Sequence, residues 1–289
     1  MTNEQDFQTI LSNEHRLFDL HLRETLRYKD LILLLVKRDF IARYKQTVLG
    51  PLWAVIQPLL TTVVFTLVFG KLAKLATMDA PGDHALPAFL FYMSGTICWN
   101  FFSSALQDTS GTFLYNRGLM GKVYFPRFVV PLASGLSKLI TFAIQFGLFC
   151  LLLLIFAARG EADVRLTPML LMLPLSVLQL YLFSIGCGIL ISSVTTKYRD
   201  LAMLVGFGLQ LWQYATPIAY GLRLVPERWL RLYMLNPLAP AITTFRYAAF
   251  GFGYFDLGAC LVSWLITLLV FFVGLMLFSR IERTFMDTI

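Results

Sequence analysis

Charged residues are scarce in this chain: they make up 14% of its 289 residues, whereas hydrophobic residues make up 57%. Soluble domains carry about a quarter charged residues, so this composition argues against one. The charges cluster in residues 1–50 and a few short gaps, which leaves uncharged stretches of roughly 20 residues, enough for a helix to cross a membrane. An open sheet leaves backbone polar groups unsatisfied in lipid, and the alternation of a β-barrel is absent. The sequence therefore predicts an all-α polytopic membrane protein.

Cysteine and histidine are also scarce, and neither is grouped. The four cysteines lie in apolar runs without paired spacing, which is typical of small buried side chains and argues against disulfides or a metal site: Cys98, Cys150, Cys187 and Cys260. The three histidines form no ligand cluster: His15, His21 and His84. The seventeen acidic residues are scattered, and none lies in the middle of an apolar stretch. A membrane-embedded glycosyl or phosphoglycosyl transferase would need clustered carboxylates, so we expect no metal and no catalytic site on this chain.

Six apolar stretches are long enough to predict transmembrane helices. They cover residues 51–70, 88–107, 134–157, 169–194, 201–220 and 258–279. The chain then divides into an N-terminal segment, a membrane domain and a C-terminal tail, at residues 1–50, 51–279 and 280–289.

The positions of lysine and arginine predict the orientation of these spans. With the N-terminus inside, fifteen of the 24 basic residues fall in cytosolic segments, eight fall in outer segments, and Lys138 falls inside a span. Because basic residues are retained on the cytosolic side, both termini are predicted to be cytosolic. The first 30 residues lack a basic region followed by an apolar core, so no cleavable signal is expected there. Membrane topology thus accounts for the net charge of +7, and no nucleic-acid partner is expected.

Lys138 lies near the start of the third predicted span. A charged residue inside a span is a candidate functional residue. Because Lys138 is close to the cytosolic end, its long aliphatic stem is also able to reach the interface. The sequence leaves both interpretations open.

Residues 221–257 are apolar enough to suggest a seventh span. Asn236-Pro237 and Pro240 would break such a helix, and Arg246 would lie deep in lipid. A seventh span would also move the C-terminal basic residues outside. We therefore predict re-entrant helices that enter the outer leaflet and return, between the fifth and sixth spans.

The stretch before the first span predicts an amphipathic helix over residues 31–48, lying in the cytosolic interface. Its apolar residues recur every three to four positions: Leu33, Val36, Phe40, Ile41, Tyr44 and Val48. Asp39 and Arg43 are spaced as an i,i+4 pair on the polar side. Gly50-Pro51 is predicted to end this helix and to let Pro51 begin the first span. A plain membrane anchor without a partner is the alternative interpretation.

Five blocks of sequence resemble one family of membrane proteins. They are RDFIARYKQTVLGPLWAVIQP (38–58), KVYFPRFVVPL (122–132), KYRDL (197–201), TPIAY (216–220) and VPERWLRLYMLNPLAPAITTFRY (225–247). In this order they resemble the permease subunits of type-2 ABC exporters that carry bacterial cell-surface polysaccharides, namely O antigen, capsule and teichoic acid. The resemblance begins near residue 30 and does not explain the first 28 residues or so.

The resemblance implies that two copies of the chain form a homodimer around a channel, with two separate ATPase subunits docked on the cytosolic side. The substrate would be a lipid-linked polysaccharide that crosses the bacterial cytoplasmic membrane, and O antigen is the favoured candidate. The alternative is that the chain belongs to an exporter of the same class that carries a drug or a lipid. The nearest sequence to a P-loop, residues 118–123, has the wrong glycine spacing and lacks a Ser or Thr after Lys122. ATP and Mg would therefore be bound by the partner ATPase, and no cofactor by this chain.

The resemblance also implies a docking surface for the ATPase in residues 108–133, with a short coupling helix near 112–120. The interface helix and the turn before the fifth span would add contacts. The candidate coupling residues are Tyr115, Asn116, Arg117, Lys122, Tyr124, Phe125, Tyr198, Arg199 and Asp200. A loop that faces lipid headgroups is the alternative for any one of them.

Aromatic residues are dense in the predicted outer half, where they suit the C–H faces of sugars. Polar residues inside the spans strengthen this interpretation: Asn100, Gln107, Gln210 and Gln213. The candidate residues of a glycan channel are Phe89, Tyr92, Trp99, Phe102, Trp212, Tyr214 and Tyr220. The alternative for each single aromatic is the interfacial belt of membrane proteins.

Two further sets of residues complete the predicted transport path. Arg38, Arg43 and Arg117 are candidates for binding the diphosphate of the lipid-linked glycan at the inner face, because arginine forms charge-assisted hydrogen bonds with phosphate. The alternative is that these arginines only keep their segments on the cytosolic side of the membrane. The re-entrant segment 224–247 is the candidate outer gate. Its residues are Trp229, Tyr233, Asn236, Pro237, Phe245, Arg246 and Tyr247.

Overall fold

In a computed structural model of the chain, the described residues are 25, 27–72, 86–116, 118, 125–165, 167–195 and 200–287, and all regular structure among them is helical. Ten α-helices are numbered here in chain order. They are α1 (Lys29–Tyr44), α2 (Trp53–Phe65), α3 (Ala88–Ser110), α4 (Thr112–Tyr115), α5 (Val129–Ala158), α6 (Met172–Thr195), α7 (Leu201–Tyr214), α8 (Glu227–Tyr233), α9 (Leu238–Phe250) and α10 (Leu257–Asp287). Short 3₁₀ turns precede α2, α6 and α8, and a π-helical stretch, Thr66–Leu72, extends α2.

Four helical segments of the described chain are long and apolar enough to cross a membrane. They are Gly50–Gly70, Val129–Ala158, Pro168–Thr195 and Leu257–Arg280. These segments coincide with the first, third, fourth and sixth spans that the sequence predicts. The prediction of a helical chain with several membrane spans is therefore confirmed, whereas the number of six spans stays a prediction.

The other two predicted spans fall on α3 and α7. Helix α3 has 23 residues, enough for a span, but it carries Asn100, Gln107 and several serines and is therefore less apolar. Helix α7 has 14 residues, or about 21 Å at the α-helical rise, and ends at Tyr214. The predicted continuation of this helix to residue 220 is wrong. Thr216 precedes Pro217, a position that disfavours helical backbone, and the chain turns there.

The bundle is built around α3 and α6. Helix α3 packs against α2, α5, α6 and α9, and α6 packs in addition against α10. The middle of α3 is fully covered, with Leu90, Met93, Ile97 and Phe102 buried in the main core. Because protein surrounds α3 on most sides, this helix does not need the apolar surface that lipid would demand.

Helices α6 and α10 cross at very short range. A Cβ atom built on Gly186 would lie 2.9 Å from the backbone N and Cα of Phe271, and one on Gly274 would lie 2.9 Å from the carbonyl oxygen of Gly186. Small residues at such crossings allow membrane helices to pack by backbone contact. Gly188 likewise faces Thr109 of α3. The small-residue pair Ser184–Gly188 therefore packs inside the chain.

Helix α1 differs from the predicted interface helix in its length and in its buried face. It ends at Tyr44, four residues before the predicted end, and Gln46 follows with a positive φ of 65°. The residues buried against the protein are Ile32, Leu35 and Val36, whereas the predicted apolar stripe has Leu33, Ile41 and Val48 exposed. Residues 31–36 are continuously apolar, and contact with α5 covers the face of Ile32, Leu35 and Val36. The insertion of the predicted stripe into the membrane interface stays a prediction. Pro51 does lie in the turn that begins the first span, as predicted.

The segment between α7 and α10 contains two short helices, as the proline positions suggest. Helix α8 is exposed, whereas α9 is buried along most of its length. Pro237 caps the start of α9, Pro240 lies in its first turn, and Gly251 ends it with a left-handed φ of 81°. This geometry brings Arg246 from the middle of α9 into the interior of the protein.

Candidate functional site

A polar cavity of about 390 Å³ lies where the end of α1 meets α2, α3 and α5; we refer to it as the polar cavity. It is lined by Arg43, Tyr44, Trp53, Ala54, Gln57, Asn100, Phe101, Ser103, Ser104, Gln107, Lys138, Thr141, Phe142 and Gln145. The volume falls in the usual range of small-molecule sites, about 300–1,000 Å³. Polar side chains therefore face a partly open cavity at a position where the surrounding helices are mostly apolar.

Helical periodicity places these side chains on the cavity wall. On α3 the polar lining residues are 100, 103, 104 and 107, beside Phe101, and on α5 the lining residues are 138, 141, 142 and 145. Residues with spacings of three, four and seven share one face of an α-helix, so each set forms a single stripe. The sequence analysis noted Asn100 and Gln107 but missed the matching stripe on α5. Its spacing was visible in the sequence, but the fact that the two stripes face each other was not.

Charged residues form a compact cluster beside the polar cavity. The Asp108 carboxylate oxygen Oδ2 lies 2.5 Å from Lys138 Nζ and 2.8 Å from Arg43 Nη2. Lys138 is only 3% exposed, whereas Arg43 and Asp108 are partly exposed. The cluster thus joins α1, α3 and α5 and carries two positive charges against one negative charge. Lys138 does not extend freely into solvent, because its ammonium group is bound to Asp108.

The arginines of α1 make contacts that the sequence did not predict. Arg43 pairs with Asp108, whereas the predicted i,i+4 partner Asp39 pairs with Arg38 at 2.8 Å. Arg38 Nη2 also donates to Asn116 Oδ1 at 3.1 Å. Both long-range contacts tie α1 to the end of α3 and to α4, which follows it. Arg117, the third arginine proposed to bind diphosphate, lies outside the described residues.

The predicted coupling segment is described in part. Helix α4 covers Thr112–Tyr115, and the Tyr115 side chain is 82% exposed. Asn116 Nδ2 donates to the carbonyl oxygen of Thr112, Phe125 is buried, and Asp200 lies exposed at the start of α7. The remaining coupling residues, Arg117, Lys122, Tyr124, Tyr198 and Arg199, lie outside the described residues. Tyr115 is therefore the described coupling residue with the most accessible aromatic surface.

Most of the predicted channel aromatics lie within the packing of the bundle. Tyr92, Trp99 and Phe102 are buried, Phe89, Trp212 and Tyr220 are partly buried, and Tyr214 is exposed. The Phe102 ring stacks on Phe183 with centroids 5.5 Å apart and meets the Trp212 ring edge-on at 5.4 Å. These contacts give the aromatics a packing role in the single chain, and their role in a glycan channel stays a prediction.

The predicted gate residues form two polar networks and a buried aromatic contact. Asn236 accepts from Trp212 Nε1 at 3.1 Å and donates to the carbonyl oxygen of Ala215, which fixes the turn after α7. Tyr233 shares a 2.9 Å hydrogen bond with Tyr220. Around them, Trp229 is exposed, Pro237 and Phe245 are buried, and Tyr247 stacks on Phe255.

Arg246 is the most extensively bonded of the gate residues. Its guanidinium donates to Ser94 Oγ at 3.2 Å and to the carbonyl oxygens of Pro217 at 2.7 Å, Ile218 at 2.9 Å and Phe91 at 3.3 Å. It also lies 3.8 Å from the centre of the Phe91 ring. These contacts join α9 to α3 and to the turn after α7. We refer to them as the Arg246 clamp.

Comparison with known proteins identifies the family of the chain. The family model described as ABC-2 type transporter matches residues 30–250. The chain belongs to the ABC-2 type transporter family. Members of this family are transport subunits rather than enzymes. The match covers α1 to α9, and so includes the polar cavity, the charged cluster and the Arg246 clamp.

Three relatives show how far the likeness of this ABC-2 chain extends. The O-antigen export system permease protein RfbA of Klebsiella pneumoniae is 25% identical over 89% of this chain and 94% of its own length. RfbA of Myxococcus xanthus is 27% identical over 78% of this chain and 82% of its own length. The polysialic acid transport protein KpsM of Escherichia coli is 26% identical over 87% of this chain and 93% of its own length. The resemblance drawn from the sequence blocks is confirmed.

Proposed function

We propose that this chain is the permease subunit of an ATP-driven exporter that moves a lipid-linked cell-surface polysaccharide, O antigen, across the bacterial cytoplasmic membrane. The observation that carries the proposal is the likeness to an O-antigen export permease along 94% of that relative's length. The likeness to a polysialic acid transport protein also supports a polysaccharide substrate over a drug or a lipid. The polar cavity offers hydroxyl and amide groups that are able to bind such a substrate within the membrane domain.

The proposed topology has six spans and two cytosolic termini. Helix α3 supplies the second span, where its polar residues face neighbouring helices. Helix α7 supplies the fifth span together with the turn that follows it. Helices α8 and α9 form the re-entrant segment on the outer side, and α1 lies at the cytosolic interface. The excess of basic residues in the proposed cytosolic segments supports this orientation.

The proposed assembly contains two copies of this chain and two ATPase subunits, which bind ATP and Mg. Helix α7 is suited to contact a second copy because one face is exposed along its length: Met203, Leu204, Phe207, Leu211 and Tyr214. Gly206 on the same helix has open space where a side chain would lie. On the cytosolic side, α4 and the residues after it form the proposed coupling segment.

In the proposed transport cycle, closure of the ATPase subunits moves α4, and α3 and α5 carry this movement into the membrane. Arg38, Arg43 and Arg117 receive the diphosphate at the inner face. The channel aromatics and the segment 224–247 form the outer part of the path and its gate. The contacts from Arg38 to Asn116 and from Arg43 to Asp108 support this coupling, because they join the proposed entry residues to the coupling segment.

The proposed function is tested in proteoliposomes that contain this chain, its partner ATPase and a lipid-linked polysaccharide of defined length. Export is measured as polysaccharide that becomes accessible to a glycosidase on the far side of the membrane. We expect ATP-dependent export that stops when the nucleotide-binding lysine of the ATPase is replaced. Transport of a fluorescent drug or lipid without transport of the polysaccharide would contradict the proposal, as would ATP hydrolysis by this chain alone.

Replacing Tyr115 with alanine is expected to weaken binding of the ATPase about tenfold, because an exposed aromatic at an interface contributes strongly to affinity. Binding is measured by surface plasmon resonance with the chain in nanodiscs. The matched control is Trp229→Ala, which removes an exposed aromatic side chain on the proposed outer side. Equal loss of affinity in both variants, or none in Tyr115→Ala, would show that α4 does not dock the ATPase.

A further inference from the structure

The polar cavity contains hydrogen-bonding groups that the described residues leave unsatisfied. Gln145 is 5% exposed, and its side-chain oxygen Oε1 has no hydrogen-bond partner among these residues. The hydroxyl of Thr141, one turn earlier on α5, is likewise buried and unpaired there. A buried polar atom without a partner costs stability unless a water or a ligand satisfies it. Both residues line the polar cavity, so these two unsatisfied groups lie in its wall, and a side-chain rotation would bring them to a ligand there.

The charged cluster beside these groups favours an anion. Arg43 and Lys138 both bind the same oxygen of Asp108, so the three groups carry a net positive charge. A guanidinium has five N–H donors and an ammonium has three, and the contacts to Asp108 use only part of this capacity. Arginine and lysine bind phosphate through such charge-assisted hydrogen bonds. Lys138 is buried and lines the polar cavity, so its ammonium group lies in the wall of the cavity together with Arg43.

Aromatic side chains complete the chemistry of the polar cavity. Trp53 from the first turn of α2 and Tyr44 from the end of α1 lie on the same wall as Arg43. Aromatic rings pack against the apolar faces of sugars, whereas amide and hydroxyl groups bind sugar hydroxyls. A phosphate-binding cluster next to amides, hydroxyls and aromatic rings is suited to a sugar that carries a phosphate.

We propose that the polar cavity binds the phosphate-bearing end of a lipid-linked glycan, with Arg43 and Lys138 on the phosphate and Gln145 and Thr141 on the first sugar. This inference rests on the proposed function and adds to it the sugar-binding site and a role for Lys138. The entry site thus extends from the surface arginines of α1 to buried residues of α5.

The test measures binding to the full chain in nanodiscs, together with its partner ATPase. The probe is a fluorescent polyprenyl diphosphate that carries one hexose, and the comparison probe is the same lipid without the sugar. Gln145→Leu is expected to weaken binding of the sugar-bearing probe about tenfold, the effect of one lost hydrogen bond to a buried polar group, and to leave the comparison probe unchanged. Lys138→Met is expected to weaken both probes. The matched control Gln179→Leu removes a buried glutamine of α6 outside the polar cavity and is expected to change neither.

Three results would overturn the inference. One is an unchanged affinity of Gln145→Leu for the sugar-bearing probe, and another is an equal loss for both probes. The third is competition by phosphatidylglycerol as strong as by the unlabelled lipid-linked sugar, which would make the polar cavity a site for lipid headgroups. If Gln145→Leu binds the sugar-bearing probe as the wild type does and still exports polysaccharide, the inference fails while the proposed function stands. If the wild-type complex neither binds the probe nor exports polysaccharide, the proposed function itself fails.

Discussion

Replacing Arg246 with methionine is expected to destabilise the protein by about 1–3 kcal/mol, the usual cost of leaving buried hydrogen-bond acceptors without a partner. The change removes the donors that bind Ser94 and the carbonyl oxygens of Phe91, Pro217 and Ile218, and it leaves these acceptors buried. Helix α9 would lose its link to α3 and to the turn after α7. We expect a lower midpoint of thermal unfolding in detergent and a loss of export in the proteoliposome assay.

The matched control for the Arg246 clamp is Arg228→Met, which removes an exposed arginine of α8 and is expected to change stability by less than about 0.5 kcal/mol. Arg246→Lys keeps the charge but lacks the planar guanidinium with its several N–H donors, so an intermediate loss of stability is expected. A thermal midpoint of Arg246→Met equal to that of the wild type would show that the clamp does not stabilise the fold. Normal stability with lost export would instead assign Arg246 to gating alone.

Gly186→Leu is expected to separate α6 from α10 and to destabilise the protein by about 3 kcal/mol, at the upper end for overpacked cores. The first carbon of the new side chain would overlap the backbone of Phe271, which is unable to move aside as a side chain would. The effect is measured as the fraction of monodisperse protein after heating, by size-exclusion chromatography.

Gly147→Leu provides the control for this packing prediction. Gly147 lies on α5, where an added Cβ would meet nothing within 4 Å. Leucine is a better helix former than glycine by up to about 1 kcal/mol, so this variant is expected to be as stable as the wild type or slightly more stable. If both variants behave alike, the close crossing of α6 and α10 is not a source of stability.

The sequence predicted the membrane character of the chain because that property depends on composition and length. Four predicted spans coincide with long apolar helices of the structure, and the turn at Gly50-Pro51 lies where glycine and proline placed it. The breaks at Asn236-Pro237 also determined the short helices α8 and α9. Such features follow from local backbone chemistry and the cost of charge in lipid.

The packed faces of the helices were harder to predict. In α1, the apolar run 31–36 offers several possible buried faces, and contact with α5 selects the face of Ile32, Leu35 and Val36. In α3, the aromatics predicted to line a channel are largely used in packing, whereas the polar stripe faces a cavity. A single helix does not reveal which of its sides a neighbour will cover.

The partners of the charged residues were also beyond the reach of sequence. The spacing of Asp39 and Arg43 suggested a local pair, yet Arg43 binds Asp108, which is 65 residues away. The sequence left two interpretations of Lys138 open, and it did not show the contact of Lys138 with Asp108. A long charged side chain pairs with the group of opposite charge that lies nearest in space, and the fold determines which group that is.

The sequence by itself determined that this is a helical membrane protein, the places where most of its spans lie, and its membership of the ABC-2 type transporter family. Those properties follow from hydropathy, chain length and short sequence blocks, which are all local. Only the tertiary structure decided that α3 and α5 enclose a polar cavity, that Asp108 joins Arg43 to Lys138, and that Arg246 is held by backbone carbonyl oxygens. Each of these depends on residues far apart in the chain, which come together only when the helices pack.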